Sequence, residues 1–241
     1  MRSGSLAGRS ESGMSSGREF RISDQPIHVN DRHRRLHYQV VARAIVGLLP
    51  HPGAIVLDHG CGEALNAGDV AGRCARLYLC DPAPQVREAL AGRHIANVSV
   101  IAPEDVFALP DASLDLIVAH SLCYVTRHEL GALLDIWHAK LKPAGTLVLA
   151  DIIPRGTDAV DDALALLRFA WRGGFLIAAL GSLVRAAVFD RRRLRAVHRL
   201  TQYGEEEMLA LLEAADFTAA RLPANLGHDQ QRMAFAARRG G

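Results

Sequence analysis

Residues 57–64, Leu-Asp-His-Gly-Cys-Gly-Glu-Ala, set two glycines around a cysteine directly behind an acid. Gly60 and Gly62 let the backbone turn tightly and approach a ligand without a Cβ in the way. The helical pattern that follows would present unpaired N–H groups at its start. A nucleotide suits such a turn, although Ala64 stands where a dinucleotide turn carries its third glycine. Asp81 lies 19 residues beyond Gly62, the spacing at which a carboxylate reaches the hydroxyls of a ribose. Glu104 and Asp105 follow a third apolar run, where an acid can accept from an exocyclic adenine amine. Asp58 and Glu63 bracket the glycines, and their negative charge opposes a pyrophosphate. A nucleoside carrying a cation is the better match; a nicotinamide dinucleotide is the competing one. For proton transfer the candidates are His120, Tyr124, Asp151 and His228.

These residues need strands to hold them. The runs 54–58, 76–81, 98–102, 114–120 and 145–151 are short and nearly continuous in apolar character, as in strands buried on both faces of a parallel sheet. Helical patterns separate most of them. In 127–141, Leu130, Leu133, Leu134, Trp137 and Leu141 share a face, behind a capping box of Thr126 and Glu129. Strands alternating with helices predict an α/β, doubly wound, mostly parallel sheet. Ligands of that fold bind beyond the C-terminal strand ends, where each acid above falls. A helix is predicted over 204–215, then strands at 217–222 and 232–237. The short link between those strands excludes a parallel crossover and makes them an antiparallel hairpin. With the sixth strand parallel to the others, that link overhangs the ligand side and brings Asn225, His228 and Asp229 there.

The stretches "VLDHGCGEA", "LYLCD", "EDVFALPDASLDLIVAHSLCYV" and "LKPAGTLVLADIIP" resemble successive motifs of the class I S-adenosylmethionine-dependent methyltransferases, small-molecule branch, and are most similar to the ubiquinone and menaquinone methylases. The resemblance is dense over 54–154 and looser over 201–238. It implies a seven-stranded Rossmann-like methyltransferase fold with an antiparallel last strand, and S-adenosylmethionine as cofactor. Its ammonium and sulfonium, with no phosphate, agree with the acids around the turn. By this resemblance Asp58, Gly60, Cys61 and Gly62 hold the methionine end and Asp81 holds the ribose. Asp105 lies near the adenine, Val106 and Phe107 wall the ring, and His120 and Ser121 approach the methionine portion. The implied activity is methyl transfer to a small, apolar or aromatic molecule. A non-catalytic cofactor-binding protein of the same fold is the further alternative.

The remaining segments bound the organisation. Residues 1–26 are rich in Ser, Gly and Arg and read as a disordered tail. Arg and Ser also suit a transit peptide, which Glu11 and Glu19 oppose. Residues 27–241 read as one domain, with an N-terminal helix in 27–50 that can bring His33, Arg34, His37 and Tyr38 to the site. The segment 154–200 reads as a helical lid insertion. Within it, 173–184 carries no charge, and Arg185, Arg191, Arg192, Arg193 and Arg195 follow. An apolar lid suits an apolar substrate, while the same segment, 173–195, suits peripheral contact with an anionic membrane. A net charge of +2 does not imply nucleic-acid binding. "AHSLCY" (119–124) also lacks the Pro-Pro-aromatic feature of base-amino methylases. Four cysteines without CxxC spacing fit free thiols in a cytoplasmic protein and no metal site. Oligomeric state is left open.

Overall fold

A computed structural model describes residues 28–120, 122–189 and 200–240. The predicted tail, Ser121, Arg191, Arg192, Arg193 and Arg195 lie outside them. The sheet has seven strands: β1 (Ile55–His59), β2 (Arg76–Cys80), β3 (Val98–Ile101), β4 (Leu114–Ala119), β5 (Leu141–Ile152), β6 (Phe217–Arg221) and β7 (Met233–Arg239). Their order is β3-β2-β1-β4-β5-β7-β6. β1 to β5 pair in parallel, and β7 runs antiparallel to both β5 and β6. β6 is thereby parallel to β5, and the hairpin opens on the ligand side as the sequence predicts.

The continuous apolar runs are explained by burial on both faces. Leu57, Ile117, Leu147 and Leu149 point into one core, with Trp137 and Leu130 of α4 (Arg127–Lys140) and Leu212 of the helix before β6. Val56, Leu116, Val118 and Val148 point into the other, with Val41 and Ile45 of α1 (Asp31–Leu48), Val70 of α2 (Ala67–Ala71) and Leu90 of α3 (Pro84–Ala91). Neighbouring residues of a strand serve opposite cores because strand side chains alternate.

The start of α1 is fixed by Asn30, whose side-chain oxygen accepts from His33 N at 2.8 Å. α4 carries the expected capping box: Thr126 N donates to Glu129 at 2.8 Å, and Glu129 N to Thr126 Oγ1 at 3.3 Å. β5 is longer than the 145–151 run. It begins immediately after α4, and its pairing with β4 shifts register between Leu114 and Leu116, which absorbs Lys142–Gly145. The insertion folds as α5 (Ala159–Gly173) and α6 (Leu176–Phe189), joined by Gly174 at φ 69°, a left-handed cap that glycine favours. α7 (Glu205–Ala214) precedes β6.

Candidate active site

The strand order reverses between β1 and β4, and the site lies beyond their C-terminal ends. The β1 turn is pinned over β2, since Gly60 N and Cys61 N both donate to Cys80 O, at 2.8 and 3.2 Å. Gly60 has φ 77°, and a Cβ there would lie 2.7 Å from His120 O. Glycine is required because the end of β4 passes so closely. Gly62, at φ 55°, meets the Tyr38 hydroxyl of α1 in the same way. Ala64 has φ 37°, so the absent third glycine leaves an alanine in a left-handed conformation.

Asp81 braces this turn. Its two carboxylate oxygens accept from Gly62 N at 3.0 Å and Ala83 N at 2.9 Å, leaving a lone pair on each for further donors. The helix α1 closes the other side. Tyr38 Oη accepts from Glu63 N at 2.8 Å, and Arg34 pairs with the Glu63 carboxylate at 2.9 Å. This corrects one premise drawn from the sequence. Glu63 does not present a bare negative charge to a ligand, so Asp58 alone carries the argument against a pyrophosphate.

Asp58, His120 and Asp151 form the centre. β1, β4 and β5 are neighbours, and each delivers one of these residues at its end. His120 Nε2 stands 3.8 Å from Asp58 Oδ1, and its Nδ1 stands 3.7 Å from Asp151 Oδ2. Asp58 Oδ1 and His120 Nε2 are buried without a hydrogen-bond partner. Burial pushes the Asp58 carboxyl up to about 6 against the restraining pull of His120, and Asp81 pushes in the same direction as burial. For His120, burial works downward, but the Asp151 and Asp58 carboxylates outweigh it and hold the imidazole above its ordinary value. Asp151 has burial against it, yet His120 and Asn225 keep it well below the usual carboxylate range.

The β6–β7 link is clamped to this centre. Asn225 Nδ2 donates to Asp151 Oδ1 at 2.5 Å, and Asn225 Oδ1 accepts from Asp151 N at 3.0 Å. Gln230 Nε2 donates to Gly227 O at 2.8 Å within the loop. The clamp carries His228 into a ring cluster: it stacks on Phe169 of α5 at 4.5 Å and meets His33 and His37 edge-on at 5.3 and 5.7 Å. His28 joins at 5.2 Å from both His33 and His37. Burial lowers all four imidazoles, His33 to about 4 and His37 to about 3. A roof of neutral rings thus covers the acidic floor.

The other expected residues have the following surroundings. Asp105 is exposed, and its carboxylate accepts from Ala102 N at 2.9 Å as the cap of a short 3-10 helix. Val106 is buried in the core with Leu57 and Ile117. Phe107 is 60% exposed and available to wall a ring. Tyr124 is 55% exposed on the 3-10 turn after β4. Asp229 braces Arg232, at 3.2 Å. Phe169 and His28 carried no signal in the sequence, because only the packing of α5 and α1 brings them to His33 and His228. Among the described residues no cluster fit for a metal ion exists. Burial pushes the Cys61 thiol far up and Cys80 up to about 12, which leaves neither as a thiolate.

A sequence profile of the methyltransferase domain matches residues 56–145. Ribosomal protein L11 methyltransferases of Burkholderia mallei (strain NCTC 10229) and Paraburkholderia xenovorans (strain LB400) are each 32% identical over 119 residues, 47% of this chain and 37% of theirs. The chain thus spans little more than a third of the length of the curated relatives it matches. Magnesium protoporphyrin IX methyltransferase from Synechocystis PCC 6803 with bound S-adenosylhomocysteine superposes with TM-score 0.58 at 18% identity, covering 90% of each chain. The 1,6-didemethyltoxoflavin-N1-methyltransferase of Burkholderia thailandensis does so with TM-score 0.55 at 19% identity, covering 85% of this chain and 78% of that one. The profile match over residues 56–145 and the superpositions agree on a methyltransferase-type sheet.

Proposed function

We propose that this chain transfers a methyl group from S-adenosylmethionine to a small apolar or aromatic molecule. The observation that carries the assignment is the unpartnered, buried Asp58 Oδ1 beside the Gly60–Gly62 turn. A buried carboxylate whose Oδ1 accepts no hydrogen bond, and which His120 faces at 3.8 Å, favours a cationic ligand, and the glycines leave the close approach that a nucleoside needs. Asp58 and the turn would hold the methionine end, and Asp81 the ribose through its remaining lone pairs. Bound there, S-adenosylmethionine supplies a methyl group already activated by its sulfonium. The chain supplies proximity, alignment and a dry pocket.

The ring roof supports the acceptor class. His33, His37, His228 and Phe169 are uncharged and flat, and such a lining favours a planar, weakly polar molecule. Both cited solved neighbours are named for ring-bearing acceptors. His120 is the group that would accept a proton from an acceptor that must lose one, at Nε2, with Asp151 holding Nδ1. The quinone-methylase branch is the finer assignment we favour within this class. A cytoplasmic setting accords with Cys61, Cys74 and Cys80 standing as buried thiols. A nicotinamide-dependent oxidoreductase is disfavoured by the methyltransferase profile over 56–145.

Calorimetry with S-adenosylhomocysteine is the first test. Binding to the native chain, weakened about tenfold or more in Asp81→Ala with the circular dichroism spectrum unchanged, is the expected outcome. Unaltered affinity in that variant would remove Asp81 from the site. A screen of phenols, quinols and aromatic amines with radiolabelled S-adenosylmethionine then separates an enzyme from a cofactor-binding protein: label must reach at least one of them.

A further inference from the structure

The α5–α6 hairpin keeps an apolar surface that nothing among the described residues covers. Val160, Leu164 and Trp171 fall on one stripe of α5, and Ile177, Leu180 and Val184 on one stripe of α6. Trp171 is 75% and Ile177 88% exposed. Outside this hairpin, only Phe107 and Tyr124 are large exposed apolar residues among the described ones. The two stripes meet at the turn, where Trp171, Phe175, Leu176 and Ile177 line one shallow groove with Arg32 at its edge. Six such side chains left in water carry a cost that a soluble monomer ordinarily avoids.

Charge identifies the occupant. At 100° per residue, Arg168 and Arg172 flank the α5 stripe and Arg185 flanks the α6 stripe, all three exposed. None is in an ion pair with a described carboxylate. The hairpin's acids are spent at its start: Asp158 caps α5, Asp161 accepts from Asp158 N, and Asp162 pairs with Arg232 at 2.7 Å. An apolar stripe edged by free arginines, with a tryptophan at the border, is the pattern of a helix lying in the headgroup region of an anionic bilayer. A protein partner would be expected to meet the arginines with carboxylates. No helix of the described residues is long and apolar enough to cross a membrane, so contact is peripheral.

We propose that the outer face of α5 and α6, from Val160 to Arg185, docks this protein on an anionic lipid surface. The groove at the turn of the hairpin, which borders α1 through Arg32, would then open toward the bilayer. The proposal stands on exposure and charge alone and does not require the methyl-transfer assignment.

Flotation of the full chain with phosphatidylcholine vesicles, with and without phosphatidylserine, tests it. The chain should float with the anionic vesicles and not with the neutral ones. Trp171→Glu/Ile177→Glu and, separately, Arg168→Glu/Arg185→Glu should each lower the bound fraction about tenfold or more. All four positions are exposed, and an unchanged melting temperature confirms that the variants fold. Trp137 is buried in the core, so a blue shift of emission on adding anionic vesicles reports Trp171. Failure to float, or flotation equal in both variants and the native chain, overturns the proposal. So does a dimer in sedimentation that Trp171→Glu/Ile177→Glu dissociates, with no vesicle binding, because the face would then belong to a second copy. S-adenosylhomocysteine affinity measured on the same variants should stay at the native value, which keeps this outcome separate from that of the cofactor assignment.

Discussion

Asp58 is a carboxylate stored where water does not reach it, with one oxygen unmatched. Its folded pKa, about 6, is raised above the ordinary carboxylate value. The sign follows from that direction. The folded state holds the proton more tightly, so the contribution to stability is full below the ordinary carboxylate value and is lost as pH rises through about 6. At neutral pH the buried anion therefore weighs against folding. Asp58→Asn should raise stability at pH 7.5 by roughly 1–2 kcal/mol, less than the shift alone implies because His120 loses a facing charge. Differential scanning calorimetry should record a melting temperature a few degrees higher, and S-adenosylhomocysteine binding should fall at least tenfold. A lower melting temperature would mean that the His120 pairing outweighs the burial of Asp58. The same balance separates His120 from a free imidazole: two carboxylates face it, and what looks in the sequence like a lone histidine after a strand is the middle of a three-strand charge cluster.

At the scale of elements, the site is assembled by pieces far apart in the chain. The β6–β7 link is held by a residue pair 74 positions apart, Asn225 and Asp151, joined by two hydrogen bonds. Asn225→Ala leaves a half-buried carboxylate short of a donor and a backbone N–H without an acceptor, at a cost of about 1–3 kcal/mol. His228 should then lose its seat over the site. Acceptor KM is expected to rise severalfold with S-adenosylhomocysteine affinity within twofold of native; equal losses in both would mean that the clamp shapes the cofactor floor instead. The strands, their parallel order, the terminal hairpin and the tight Gly60–Gly62 turn braced by Asp81 were legible because each rests on short-range signals: apolar runs, glycines before a helix, an acid at each strand end. Other parts were not. Val106, which the resemblance assigns to the wall of the adenine ring, has its side chain in the core at the tight 3-10 turn. The charge of Glu63 was misleading because its partner, Arg34, lies 29 residues away on another helix. Phe169 and His28 depend on how α1 and α5 pack, which Arg32 fixes by donating to Gly173 O at the end of α5. No local pattern announces a contact of that range.

For the molecule as a whole, the histidine roof joins α1, α5 and the β6–β7 link, and its cohesion depends on protons. His28, His33, His37 and His228 are all lowered, first by burial, and His228 lowers the other three further. Glu63 beside His28, Asp151 beside His37, and Asp151, Asp229 and Asp162 near His228 pull the other way without reversing the direction, and Arg34 and Arg232 add to it. With folded values below the ordinary 6.5, the unfolded chain binds protons first as the solution is acidified. The stability these groups contribute is complete above about 6.5 and drains away as pH falls toward 4. The loss should be local before it is global, because the sheet beneath rests on two apolar cores that contain no member of the roof. Hydrogen exchange at pH 7 and pH 5 checks this. Amides of α1 and of 225–231 should exchange faster at the lower pH, after correction for the intrinsic rate, while those of β1, β4 and β5 stay protected. The double variant His37→Phe/His228→Phe keeps the rings and removes two of the titrating groups, so its pH dependence over this range should be visibly flatter. Equal acceleration of sheet and roof, or an unaltered slope in the double variant, would place the acid-sensitive step elsewhere, with Asp151 and its Asn225 clamp the next groups to examine.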